Sequence, residues 1–341
     1  MIKPQKLQKG DTIAIIAPSG GITALVPHRL EAAKKNLERI GFKVKLFFTT
    51  KLNLRGKAGT LVQRVKDIHD AFTNTEIKAI MCATGGLCAN ELLRVIDFEV
   101  IRKNPKIFIG YSDITLLHYA IWKNTRLVTF YGPCAITQFG EYPKTLEYTE
   151  KQFLKAVSQD AAIGIVTPSE TFTDEILDWF QKTDLTRPRT LIENDGNIWL
   201  KKGKVSAELV GGCLHSIHQI VGGLFDCDYK DKILFLELPE GQKFGEGTPL
   251  DYAESQLVDL KNRKLFEGLR GLIIGRLYKY SDEQKELFYN MLLEQMQEYN
   301  FPILANADIG HTDPMITLPL HVQVSLDSDR NIFSIEEKGT E

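Results

Sequence analysis

The sequence predicts an α/β fold in two parts, a parallel-sheet unit over residues 1–164 and a β-rich α/β unit over residues 165–341, and three observations predict it. Apolar runs that do not alternate, at 12–17, 79–83, 107–109 and 127–131, are strands buried on both faces. Amphipathic stretches at 30–40 and 61–73 separate them, so strand and helix alternate in the β-α-β manner of a parallel sheet. Near residue 165 the composition changes to turns and short strands, with Pro168, Pro188, Asn194-Asp195-Gly196 and Lys202-Gly203 close together. A length of 341 residues fits two domains.

Bulk composition narrows the function. A hydrophobic share of 43%, a charged share of 25% and a net charge of −2 describe an ordinary globular protein with no electrostatic footprint for nucleic acid or a membrane surface. No apolar run approaches the roughly 20 residues that span a bilayer, and residues 1–7 lack the apolar core of a signal peptide, which points to the cytoplasm. Five scattered cysteines (82, 88, 134, 213, 227) form no C-x-x-C pair, so neither a disulfide framework nor a zinc site is expected.

In the first half, the strand at 12–17 closes in Pro18-Ser19-Gly20-Gly21. This matches neither phosphate-binding glycine pattern and reads as a turn near a pocket mouth, so no nucleotide cofactor is expected and a nucleotide-dependent oxidoreductase is set aside. Gly41 ends the helix at 30–40 as a C′ glycine, and the strand at 79–83 runs into Thr84-Gly85-Gly86. Open parallel sheets bind ligands at this carboxyl edge, where Gly86 either supplies a free N–H or merely turns the chain. Residues 90–96 and 99–102 read as helical, and 138–143 as a polar surface connection. In the second half, Trp179 belongs either to a packed loop or to a lid held against substrate. His215 and His218 lie one helical turn apart beside Cys213; with no fourth ligand in reach they read as packed helix histidines rather than metal ligands. The apolar strand at 232–237 ends in Glu237, His311 lies in the loop 308–312, and His321 marks a strand start.

The most informative stretch is Ile107-Phe108-Ile109-Gly110-Tyr111-Ser112-Asp113-Ile114, which puts Ser112 on a sharp strand-to-helix corner. Such a serine is either a nucleophile or a helix cap. A nucleophilic serine needs a base, and the base needs an orienting carboxylate. Ser112, Glu237 and His311 all lie at strand ends and follow the chain order Ser…Glu…His found in α/β-hydrolases. The Gly86 and Asp113 N–H groups fit an oxyanion hole, with the site in the cleft between the two units.

Thr84-Gly85-Gly86, Asn90-Glu91-Leu92-Leu93, the elbow segment, Phe130-Tyr131-Gly132-Pro133, Leu209-Val210-Gly211-Gly212, Phe235-Leu236-Glu237 and Gly310-His311-Thr312 together resemble the LD-carboxypeptidase family of serine peptidases. The resemblance implies a Rossmann-like N-terminal domain and a β-rich C-terminal domain. It implies that Ser112 is the nucleophile, with Glu237 and His311 completing the triad and Gly86 and Asp113 forming the oxyanion hole. It also implies no metal, a homodimer, and cleavage of the L–D bond before the terminal D-alanine of cytoplasmic muropeptides. The segment 172–179 is similar to an insert of the microcin C immunity branch, which hydrolyses aminoacyl- or peptidyl-nucleotide amides; there Trp179 would stack on a base. Leu87-Cys88, His321 and Cys213 depart from the family pattern, and Cys213 stands where an asparagine is common, which bears on substrate binding. A non-catalytic peptide- or nucleotide-binding protein on the same cleft is the alternative from outside the enzymes.

Overall fold

A computed structural model describes residues 1–243 and 245–341. The first sheet contains β1 (Thr12–Ile16), β2 (Lys43–Leu46), β3 (Ile77–Cys82), β4 (Ile107–Gly110) and β5 (Phe130–Tyr131), parallel in the order β5-β4-β3-β1-β2. Residues 13–16 and 107–110 are wholly buried, as unbroken apolar runs between helical layers require. Helix α1 (Pro27–Arg39) starts three residues before the apolar periodicity, because Pro27 sits at the first turn, where its fixed φ and missing N–H are tolerated. Helix α2 (Leu61–Thr73) opens on a capping box of Thr60 and Gln63. Then follow α3 (Phe98–Lys103), α4 (Thr115–Thr125) and α5 (Glu147–Ser158).

Three local expectations in this half are corrected. The stretch 90–96 is a single 3₁₀ turn, Ala89–Leu92. Of the run 127–131, only β5 pairs within the sheet, while Leu127 bridges to Ile2. The supposed surface connection at 138–143 is largely interior: Ala135–Phe139 forms a π-helical turn, and Gln138 and Glu141 are buried. Both polar residues are interior because they are paired, Gln138 accepting from the Cys134 N–H and Glu141 facing Arg29 and Arg189.

The second sheet has a parallel core of β10 (Lys204–Cys213), β11 (Lys232–Glu237), β12 (Gly271–Gly275) and β13 (Ile303–Ala307). Antiparallel strands flank it: β6 (Gly164–Ile165), β15 (Gln323–Asp327) and β16 (Ile332–Ile335) beyond β10, and β9 (Ile198–Lys201) beyond β13. Helices α6 (Leu214–Ile220), α7 (Leu250–Asn262) and α8 (Asp282–Gln295) connect the parallel strands. A small hairpin, β7 (Thr171–Phe172) with β8 (Ile192–Glu193), brackets the Trp179 segment. Strand β14 (Leu318–Pro319) crosses back and pairs antiparallel with β5, so the rear of the chain completes the front sheet. His321 is not a strand start; it lies in the turn between β14 and β15 with φ +64°, its ring stacked 3.6 Å from that of Trp122.

Candidate active site

Ser112 follows β4 directly and begins the 3₁₀ turn Ser112–Ile114 that leads into α4. Its φ of +64° is left-handed, a conformation that a non-glycine residue holds only when its surroundings impose it. One of those surroundings is the strand turn at Gly85. A Cβ there would stand 2.8 Å from the Ser112 Cβ and 3.1 Å from its Oγ, so only glycine lets that backbone lie against the serine.

The fold brings three of the expected residues together across nearly two hundred residues of sequence. The His311 Nε2 lies 3.1 Å from the Ser112 Oγ, and the His311 Nδ1 lies 2.6 Å from the Glu237 Oε2. With Nδ1–H donating to the carboxylate, Nε2 is left as the acceptor for the serine hydroxyl. Glu237 ends β11 completely buried, and its second oxygen accepts from the Tyr131 hydroxyl at 2.6 Å. Gly310 has φ +103°, and a Cβ on it would come within 2.6 Å of the Glu237 Oε2; the carboxylate thus packs directly on the backbone of the histidine loop. Burial opposes a charge on His311, but the Glu237 carboxylate outweighs it, and Glu240 and Asp313 add to the pull, so that the imidazole is raised to about 9.

The histidine loop is supported from below. Buried Arg276 pairs with Asp308 and donates to Thr312 Oγ1 at 2.9 Å, while Asp308 accepts from the Ser169 N–H at 2.7 Å. Asp313 exchanges backbone hydrogen bonds with Thr173 and accepts from Arg189 at 2.7 Å, which joins the loop to the 172–193 insert. Trp179 in that insert is partly buried, with the Arg29 guanidinium 4.3 Å over its ring.

Asp113 follows Ser112 in the chain, and Gly86 follows Gly85, whose backbone lies against Ser112. Among the described residues the Gly86 and Asp113 N–H groups donate to no other protein group, whereas the Ser112 N–H is taken by the Tyr131 hydroxyl at 3.1 Å. The Asp113 carboxyl is buried and is raised by that burial, against hydrogen bonds from the Ser19 hydroxyl at 2.5 Å and the Ala89 N–H at 3.2 Å. It ties the three loops at this sheet edge together. Cys213 pairs in register with Glu237 and is only 2% exposed, so it borders the carboxylate from the neighbouring strand instead of presenting a free surface. His215 and His218 bond to Gln256 and Asp259, and among the described residues no group of three His, Cys, Asp or Glu side chains is arranged to hold a metal ion. Sequence reasoning gave no role to Tyr131, Ser19 or Arg276; a tyrosine closing the strand beside the elbow strand was the one available signal.

The profile of the LD-carboxypeptidase N-terminal domain matches residues 13–132, and that of its C-terminal domain matches residues 206–326. The chain belongs to the LD-carboxypeptidase family. It is a serine-type carboxypeptidase by that membership. Similar proteins include the Microcin C7 self-immunity protein MccF of Escherichia coli, 31% identical over 97% of this chain and 95% of that protein. The probable murein peptide carboxypeptidase of Bacillus subtilis is 32% identical over 98% and 94%. Among solved structures, MccF in complex with aspartyl sulfamoyl adenosine superposes with a TM-score of 0.91 at 31% identity over the whole of both chains. An MccF-like protein from Bacillus anthracis gives 0.89 at 32% identity over 98% of this chain and 99% of that one. This LD-carboxypeptidase family member also has no helix, among the described residues, that is long and apolar enough to cross a membrane.

Proposed function

We propose that this protein hydrolyses an amide bond of a small peptide through Ser112, His311 and Glu237. The bond we assign is the L–D linkage before the terminal D-residue of a muropeptide. The observation that carries the reading is the continuous contact from the Ser112 Oγ through His311 to the buried Glu237. As the Ser112 Oγ attacks the carbonyl carbon, its proton passes to the His311 Nε2, and Glu237 stabilises the imidazolium. The carbonyl π electrons move onto oxygen, and the Gly86 and Asp113 N–H groups receive that oxyanion. Collapse breaks the C–N bond, and the His311 proton leaves with the amine. Water then repeats the sequence on the acyl-serine and releases the acid. The murein peptide carboxypeptidase among the relatives supports the peptide substrate.

A second reading keeps the mechanism and changes the substrate to an aminoacyl-nucleotide amide. The observation favouring it is Trp179, partly open and braced on Arg29 within the insert that docks on the His311 loop; MccF, solved with aspartyl sulfamoyl adenosine, supports it from outside. Incubation with a muropeptide tetrapeptide and with an aminoacyl sulfamoyl adenosine, read by product mass, separates the two. Ser112→Ala abolishes hydrolysis of either without lowering the melting temperature; a variant as active as wild type refutes the mechanism. A fluorophosphonate that leaves Ser112 unlabelled would instead favour a binding protein that turns nothing over.

A further inference from the structure

The hydrogen bonds around Ser112 close into a ring. The Ser112 N–H donates to the Tyr131 oxygen at 3.1 Å, and the Tyr131 hydroxyl donates to the Glu237 Oε1 at 2.6 Å. The other Glu237 oxygen takes the His311 Nδ1–H at 2.6 Å, and the His311 Nε2 returns to the Ser112 Oγ at 3.1 Å. The ring starts on the backbone of the serine and ends on its side chain.

We propose that Tyr131 is a positioning residue for the reaction, setting the strained backbone of the nucleophile and the orientation of the acid with one hydroxyl. The inference rests on the Ser112–His311–Glu237 reading above. Three features of the fold argue for it. First, the phenol oxygen is placed by packing before it makes either bond. Tyr131 is flanked in its sheet by Gly110 on one side and Leu318 on the other, and its ring lies edge-on to Phe235 at 5.0 Å and to Tyr111 at 6.4 Å. A group held that rigidly can impose geometry on its partners. Second, Ser112 has φ +64°, and its half-buried N–H has no other acceptor among the described residues, so the Tyr131 oxygen is what satisfies it. Engaging that N–H also removes it from the oxyanion hole, which leaves the neighbouring Asp113 N–H and the Gly86 N–H as the free donors. Third, Glu237 is wholly buried, and a buried carboxylate keeps its charge only when its oxygens are occupied by donors. Tyr131 belongs to the front sheet and Glu237 to the rear one, so this bond also sets the two sheets' registration at the site.

The test is the pH profile of Ser112 phosphonylation by a fluorophosphonate, which needs no knowledge of the substrate. In Tyr131→Phe the ring fills the same slot and both bonds are lost. Labelling is expected to slow about 10- to 100-fold, the range for hydrogen bonds to a charged group. The acid limb is expected to move to higher pH, because a carboxylate relieved of the phenol donor holds the His311 imidazolium more tightly. The other groups bearing on the pair, Glu240 and Asp313 beside His311 and Cys213 beside Glu237, are unchanged by the substitution. A residue that served only to pack would lower the melting temperature without moving the limb. Site-specific 3-fluorotyrosine at position 131 keeps both bonds with a stronger donor; it is expected to restore most of the rate and move the limb to lower pH. Should Tyr131→Phe not accumulate as folded protein, the fluorotyrosine protein decides by the same limb, a downward shift supporting the proposal and an unmoved limb overturning it. A Tyr131→Phe protein with the wild-type rate and profile overturns this inference alone, provided Ser112→Ala is inactive in hydrolysis. A hydrolytically active Ser112→Ala overturns the triad reading and this inference with it.

Discussion

Glu237→Gln separates the electrostatic from the steric role of the acid in the proposed triad. Burial by itself would hold His311 below its ordinary 6.5; the carboxylate 2.6 Å away, aided by Glu240 and Asp313, raises it to about 9. The difference, 9 − 6.5, is about 2.5 pH units, or about 3–4 kcal/mol at about 1.4 kcal/mol per unit. An amide fills the same space without the charge, and it offers an NH₂ that favours the wrong imidazole tautomer at Nδ1. The kcat/KM is therefore expected to fall about 10³- to 10⁴-fold, the order seen when such an acid is neutralised. The base acts only when neutral, so the acid limb of wild-type kcat/KM is expected near pH 9 and that of the variant below 6.5. Stability has the opposite sign. A histidine whose folded pKa is raised contributes fully below about pH 6.5 and loses that contribution as the pH rises through about 9. Wild-type melting temperature should thus decline across this window, and the Glu237→Gln protein should lack that part of the slope. Rate profiles from pH 5 to 10 with calorimetry at the same pH values check both. An acid limb near 6.5 in wild type, unmoved in the variant, would refute the reasoning.

Arg276→Met should destabilise the protein by about 3–5 kcal/mol, because it strands the buried Asp308 carboxylate and releases Thr312 beside the base; denaturant unfolding measures the first effect and kcat the second. Gly85→Ala should leave the fold largely intact yet lower kcat about 100-fold, since a Cβ 2.8 Å from that of Ser112 displaces the nucleophile; unchanged kcat at an unchanged melting temperature would contradict that contact.

How much of this was legible in the sequence follows from the range of the interactions involved. The runs at 12–17, 79–83 and 107–109 announced buried parallel strands because burial on both faces leaves no alternation to mistake. Ser112, Glu237 and His311 stood out because each is a chemically distinctive residue at the end of such a run, and parallel strands deliver their carboxyl ends to one edge. The buried turn at Ala135–Phe139 was illegible for the opposite reason. Gln138, Glu141 and Arg29 look like surface residues; Gln138 is interior because it closes the turn on the Cys134 N–H, and Glu141 and Arg29 because they pair with partners far away, as between Arg29 and Asp184, 155 residues apart. The return of β14 to the front sheet could not be read either, because a two-residue strand has no periodicity. Tyr131 fell between these cases. Its place at a strand end was visible, but its two hydrogen bonds exist only once the second sheet supplies Glu237.

The division of the site between two sheets makes its accuracy a question of docking. Ser112 is fixed to the front sheet by β4 and Glu237 to the rear sheet by β11, so the Ser112–His311 distance inherits any slip between them. Two features oppose such a slip close to the chemistry: β14 pairs into the front sheet from the rear of the chain, and Tyr131 on the adjacent strand bonds across to Glu237. The loop carrying His311 is held from the rear sheet by Arg276 and from the insert by Thr173 and Arg189. The insert that bears Trp179 therefore shares its support with the catalytic base proposed here. Changes in the insert that preserve Thr173 and Arg189 are free to alter what the cleft accepts, while changes that disturb either one reach His311 through Asp313. On this argument substrate preference can diverge in the Trp179 segment while the hydrolytic step stays constant.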